Sequence, residues 1–171
     1  MERDVLRQGD IINDVFFLGA LNIECIQSIQ TSNTKFQSWI YNDKLTCGQA
    51  IILSHSCEID KSNGVKLTSL VMAPIRDLDS ATKKEKRDEL IASNIIKFPS
   101  STSYLKYFYL EPNEKLAFSN GAIVDFSKCF SLKKQAYEFL LKNKVLQLRN
   151  DISDSMAFKL SLYYYRTAVA T

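Results

Sequence analysis

From residue 21 to residue 75 the chain is a succession of short apolar stretches cut by turn-forming clusters. LNIECIQSI (21–29), KFQSWIY (35–41), QAIILS (49–54) and KLTSLVMAPI (66–75) are separated by TSNT (31–34), YNDKLTCG (41–48) and DKSNG (60–64). Leu21, Ile23 and Cys25 alternate with polar neighbours, and Phe36, Ser38 and Ile40 alternate with Gln37, Trp39 and Tyr41. That period of two predicts half-buried strands, while the unbroken QAIILS predicts a central one. With a short strand at 11–12 added, and Pro74 stopping the last, five strands in series predict a small antiparallel barrel or a strongly bent sheet.

After residue 76 the pattern changes. DSATKKEKRDELIASNIIKF (79–98) predicts a helix opened by a Thr82/Glu85 capping box, and SLKKQAYEFLLKN (131–143) predicts another with Ser131 as its cap. YLKYFYL (104–110) and AIVDFS (122–127) read as strands. In SDSMAFKLSLYYYRTAVA, Met156, Leu160, Tyr163 and Thr167 carry helical spacing, while Phe158, Leu160, Leu162 and Tyr164 also alternate as in a strand; the Ser-Asp-Ser start favours the helix. The fold class predicted is therefore α+β: one domain over 1–171, a β-barrel core at 1–76, and a mixed helical extension at 77–171 packed on it. Only 5 Gly and 3 Pro argue against a long linker.

The thiols point to the compartment. Cys25, Cys47, Cys57 and Cys129 are widely spaced with no CxxC, and MERDVLRQGD has no apolar signal region. A cytoplasmic protein with reduced thiols is expected, with no membrane partner, since no apolar run approaches a span. A P-loop, a dinucleotide-binding glycine pattern, HExxH, GxSxG and a calcium loop are all absent from the sequence.

Four clusters could carry function. In SHSCEID, a strand continuing through residue 57 would put His55 and Cys57 on one face. The imidazole would then activate the thiol, with Glu58 or Asp60 steering the ring. His55 is the sole histidine, so any Cys–His chemistry depends on it. The alternatives are a small core thiol, or a zinc site recruiting Cys47, His55 and Cys57 with Glu58 or Cys129, although the spacing matches no zinc knuckle or ribbon; the expected cofactor is none. Arg7, Arg76, Lys83, Lys84, Lys86 and Arg87 form the candidate phosphate-binding set, diluted by Glu85, Asp88 and Glu89. Tyr104, Tyr107, Phe108 and Tyr109 would offer stacking surfaces, or simply fill a core. Finally, three consecutive tyrosines cannot all face one core, so Tyr163, Tyr164, Tyr165 and Arg166 form a candidate protein interface.

Two segments together resemble the MazF/PemK-like toxins: RQGDI (7–11) looks like their R-G-D-I opening, and GQAIILSHSCEIDKSNGVKLTSLVMAPI (48–75) is similar to their paired strands ending in a "vvaPi" run. The resemblance covers roughly the first half of the chain. It implies a small SH3-like barrel, dimerisation and metal-independent cleavage of single-stranded RNA. The catalytic positions depart from that pattern. TCGQA stands where the family has its Arg-Pro pair, and Arg76 stands where it has a catalytic Ser or Thr. SHSCEI is also similar to a Ser-(His/Gln)-x-Cys-(Asp/Glu)-Ile pattern of bacterial proteins with no established activity. The resulting expectation is a non-catalytic binding or interaction protein with a MazF/PemK-like core, an accessory component of a bacterial toxin or defence system. The alternatives are a diverged RNA-binding or RNA-cleaving protein, and a Cys57-dependent enzyme or zinc-stabilised domain.

Overall fold

In the computed structural model, residues 5–31, 34–59, 68–94 and 104–169 are described, with backbone alone at 18–31, 34–46, 57–58 and 166–169. The chain divides into two compact units, Phe16–Cys47 and the remainder. The first consists of the later part of one long strand, β1 (Asp10–Thr31), and the earlier part of another, β2 (Thr34–Ile52). The stretches at 11–12 and 21–29 thus belong to one strand. The turn expected at 41–48 is instead continuous strand, while residues 32–33 of the expected TSNT turn lie outside the described residues.

The second unit is built on a sheet ordered β4-β5-β3-β2-β1-β7, with β6 also paired to β3. Its further strands are β3 (Ser69–Asp77), β4 (Tyr107–Leu110), β5 (Ala122–Asp125), β6 (Phe130–Lys133) and β7 (Lys144–Gln147). All the registers described are antiparallel. The fold is α+β, as expected, but among the described residues the outer strands β4 and β7 do not pair with each other and the sheet does not close into a barrel. The reason lies in β3. One edge pairs with β2, and the other is shared, Ser69–Met72 facing β6 and Ile75–Asp77 facing β5. Pro74 falls in the changeover between those partners, where a missing N–H costs the ladder least, so β3 passes through it rather than stopping.

Alternation along β4 and β5 feeds two clusters. Phe108, Leu110, Ala122 and Val124 join the main core with Ile11, Ile51, Ala73, Ile75 and Met156. Tyr107 and Ile123 join a smaller cluster with Leu78 and Leu90. Among the described residues the unit also has α1 (Ser56–Ile59), α2 (Arg87–Ala92), α3 (Tyr137–Lys142) and α4 (Asn150–Val169). Met156 of α4 joins the main core, and Ile152, Leu160 and Tyr163 pack against it.

Two predicted helices are shorter than their propensity suggested. Residues 84–86 form a 3-10 turn whose cap is Lys83, without a side-chain bond, so the Thr82/Glu85 capping box is not formed. Ser131 lies inside β6, because Phe130–Lys133 is drawn into pairing with β3. The helical spacing at the C-terminal end, by contrast, is realised as α4. Among the described residues no helix is long and apolar enough to cross a membrane.

Candidate functional site

The two segments that carry the family resemblance meet in space. The backbone N–H of Gln8 donates to Ser56 Oγ (3.1 Å), its Nε2 donates to the Leu53 carbonyl (2.9 Å), and the Gly9 N–H donates to the Ile52 carbonyl (2.9 Å). The Leu6 N–H donates to the Tyr137 hydroxyl (3.2 Å), and Ser153 Oγ at the start of α4 donates to the Gln8 carbonyl (3.4 Å). Residues 6–9 are therefore tied to α3 through Leu6, and to the end of β2, α1 and α4 through Gln8 and Gly9. Arg7 and His55 are both exposed on this assembly.

Beneath them lies a buried charge pair. Asp10 is fully buried, and its Oδ2 accepts from the Arg7 N–H (2.7 Å) and from Lys144 Nζ (2.8 Å). Asp10 Oδ1 is buried with no hydrogen-bond partner among the described residues. Burial pushes the Asp10 carboxyl above the usual carboxylate range, against the opposing pull of Lys144 and the Arg7 N–H. The pair anchors the segment from below rather than presenting a carboxylate to solvent.

Gly9 is what lets the chain pass between β2 and β7. Its φ is +84°, and a Cβ there would lie 2.9 Å from Ser153 Oγ and 3.3 Å from Leu148 Cβ. Gly9→Ala is expected to destabilise by about 1–2 kcal/mol from the left-handed backbone alone, with the contact adding to it. Chemical denaturation should show a lower midpoint at an unchanged slope; an unmoved midpoint would show that the loop re-forms freely.

In SHSCEID the strand ends at Ile52. Leu53 and Ser54 N–H groups both donate to the Val71 carbonyl (2.9 and 3.3 Å), while the Val71 N–H donates to Ser54 Oγ (2.8 Å). The chain then turns into α1, so His55 and Cys57 are not successive same-face positions of one strand. The side chains of Cys57 and Glu58 lie outside the described residues. Cys47 is exposed and belongs to the other unit. Cys129 is half-buried, its thiol donates to the Phe126 carbonyl (3.2 Å), and burial raises its pKa. Among the described residues, no three His, Cys, Asp or Glu side chains are clustered as metal ligands.

Two of the predicted phosphate-binding arginines are engaged within the fold. Arg76 Nη1 pairs with Asp125 Oδ2 at 2.8 Å, a diagonal contact set by the Arg76–Ile123 register. Arg87 pairs with Asp79. Lys83, Lys84 and Lys86 are exposed, but so are Glu85, Asp88 and Glu89.

The tyrosine run divides as its spacing requires. Tyr163 turns inward, 6.3 Å from Phe126 between ring centroids and edge-on to Tyr164 at 5.5 Å. Tyr164 and Tyr165 are 49% and 70% exposed. Burial, and then a hydrogen bond with Cys129, push the Tyr164 phenol up to about 12. The backbone of Arg166 continues the helix, and its side chain lies outside the described residues.

Sequence reading missed Lys159. It is fully buried on α4, its Nζ 2.7 Å from Ser93 Oγ, 3.3 Å from Asn94 Oδ1 and 6.0 Å from the Phe108 ring centroid. Its place three residues after Met156 and four before Tyr163, on the core side of a helical pattern, is the signal that would have found it. Lys144 has no comparable signal, since it sits in a locally basic KNK triplet.

No protein-family model matches the chain, and no curated protein matches it at a significant level.

Proposed function

We propose that this chain is a non-catalytic interaction protein whose binding face is the outer side of α4, and that the occupant of that face is a second copy of the chain. The observation that carries the reading is the pair Phe158 and Tyr165, 56% and 70% exposed. Seven residues apart, they lie almost in line on a helix. The same stripe begins with exposed Asp151 and Asp154, as a solvated face should, and then turns apolar and uncharged through Phe158, Ser161 and Tyr165. With apolar groups inward as well as outward, α4 has one face for the core and one for a partner. An uncharged stripe meets its own copy without like-charge opposition, and an antiparallel twofold sets Phe158 across from Tyr165 while holding the two acidic ends apart.

The core of such a protein is read as MazF/PemK-like, a diverged accessory component of a bacterial toxin or defence system. The hydrogen bonds that join RQGDI to the end of the QAIILS strand support that reading, as they link the two segments that carry the resemblance. The RNA-binding alternative has less support, because Arg76 and Arg87 are ion-paired within the fold.

Light scattering coupled to size exclusion tests the proposal. The wild type is expected to run as a dimer, and Phe158→Glu and Tyr165→Glu as folded monomers. Each removes an aromatic contact worth about 1.5–3 kcal/mol, and twofold symmetry counts it twice. A wild type that is monomeric at its highest soluble concentration, or glutamate variants that stay dimeric, would overturn it.

A further inference from the structure

The inner side of α4 carries a feature that self-association does not use. Lys159 is fully buried, yet both of its described hydrogen-bond partners are neutral, Ser93 Oγ and Asn94 Oδ1. A buried ammonium ordinarily has a carboxylate beside it, because an unpaired charge away from water is costly. Ser93 caps the C-terminal end of α2 and Asn94 follows it, and Asn94 also clamps β4. Its Nδ2 donates to the Tyr109 carbonyl (2.7 Å) and its Oδ1 accepts from the Tyr109 N–H (2.9 Å). Ser155 Oγ of α4 adds a bond to the Asn94 carbonyl (3.4 Å). One amine thus sits at the junction of α4, α2 and β4.

We propose that Lys159 is a proton-operated latch: its neutral amine fastens α4 to the end of α2, and protonation loosens that junction. Chemistry and placement argue together. A neutral amine keeps two N–H donors for Ser93 and Asn94 and carries no charge into the core, whereas an ammonium in the same place must be solvated or must leave. The surroundings do not compensate. From α2 come Ser93 and Asn94, while Asp88 and Glu89 on that helix are exposed. From β4 come the Phe108 ring and Tyr109, whose phenol is raised by burial and then by Glu111, and so stays neutral through the same range. From α4 itself come Ser155, Met156 and Tyr163, none of them charged. Burial alone lowers the amine from its ordinary 10.5 to about 7.

The sign follows from proton uptake. Between about 7 and 10.5 the opened form holds the proton on Lys159 and the closed form does not. The closed junction therefore gains as pH rises through that window and loses as pH falls towards its lower end. The latch concerns the inner face of α4 and stands whether or not the outer face pairs.

Amide hydrogen exchange of the full chain, corrected for intrinsic rates, tests it. In the wild type, opening at Ser93, Asn94 and the middle of α4 should become rarer by up to about tenfold per pH unit across the window. Lys159→Met fills the same volume and cannot titrate, so its opening should be independent of pH. Equal slopes in the two proteins would overturn the latch. A measurement on the wild type alone covers the case in which the variant fails to fold: the ¹³Cε resonance of Lys159 should titrate near neutrality. A midpoint at the ordinary lysine value would overturn the proposal.

Discussion

Lys144→Met is expected to lower the folding free energy by about 3–5 kcal/mol, the cost of leaving one member of a buried ion pair without the other. The side chains of Lys144 and Asp10 are 2% and 0% exposed, and Oδ1 of Asp10 already lacks a partner among the described residues. Without the ammonium the carboxylate keeps only the Arg7 N–H among its described contacts. The deficit should depend on pH in a defined direction. A carboxyl whose folded pKa stands above its unfolded value contributes stability that is complete below the ordinary carboxylate range and is lost as pH rises through the folded pKa. Asp10 is already raised by burial, and removing Lys144 takes away the leading opposing influence. Denaturant titrations of both proteins should therefore differ least in acidic buffer and most at neutral pH. A constant difference would mean that Asp10 is not the group bearing the cost. The double variant Asp10→Leu/Lys144→Met should recover part of the loss, held short of the whole by the Arg7 N–H that Asp10 satisfies.

Phe108→Ala should cost a similar amount, about 3–5 kcal/mol, through lost burial and the cavity left behind. Phe108 is 1% exposed in the main core, and its ring also lies over the Lys159 amine. Two readouts are expected to move together. The denaturation midpoint should fall, and the Lys159 titration should shift upward as water reaches the amine. Phe108→Leu keeps most of the volume and should retain most of the stability. A lysine titration unmoved in Phe108→Ala would show that the ring does not contribute to its desolvation.

The legible parts of the fold were those in which local pattern and tertiary demand agree. The β3, β4 and β5 segments lie near their observed places because short apolar runs mark them, and the C-terminal segment, where helical and strand periods coexist, is helical as its Ser-Asp-Ser start indicates. The misread parts are those in which a partner overrode local preference. SLKKQAYEFLLKN contains good helix formers from its first residues, yet Phe130–Lys133 is taken into the ladder with β3. YNDKLTCG carries turn residues, but lies within a single 19-residue strand. Among the candidate sites, the outward tyrosines were inferable from their run in sequence. The engagement of Arg76 with Asp125 was not, since the partners are 49 positions apart.

Strand and helix periodicity and the inward–outward division of YYYR are written in the order of the residues, because each depends on neighbours within a few positions. An open sheet rather than a closed barrel depends on longer contacts: β3 shares one edge between two strands, and α4 supplies the remaining core. The buried states of Asp10, Lys144 and Lys159 are likewise tertiary facts. A lysine is ordinarily a surface residue; the position of Lys159 on the core side of a helical pattern hints at its burial, but the packing of distant segments around it is what removes the water.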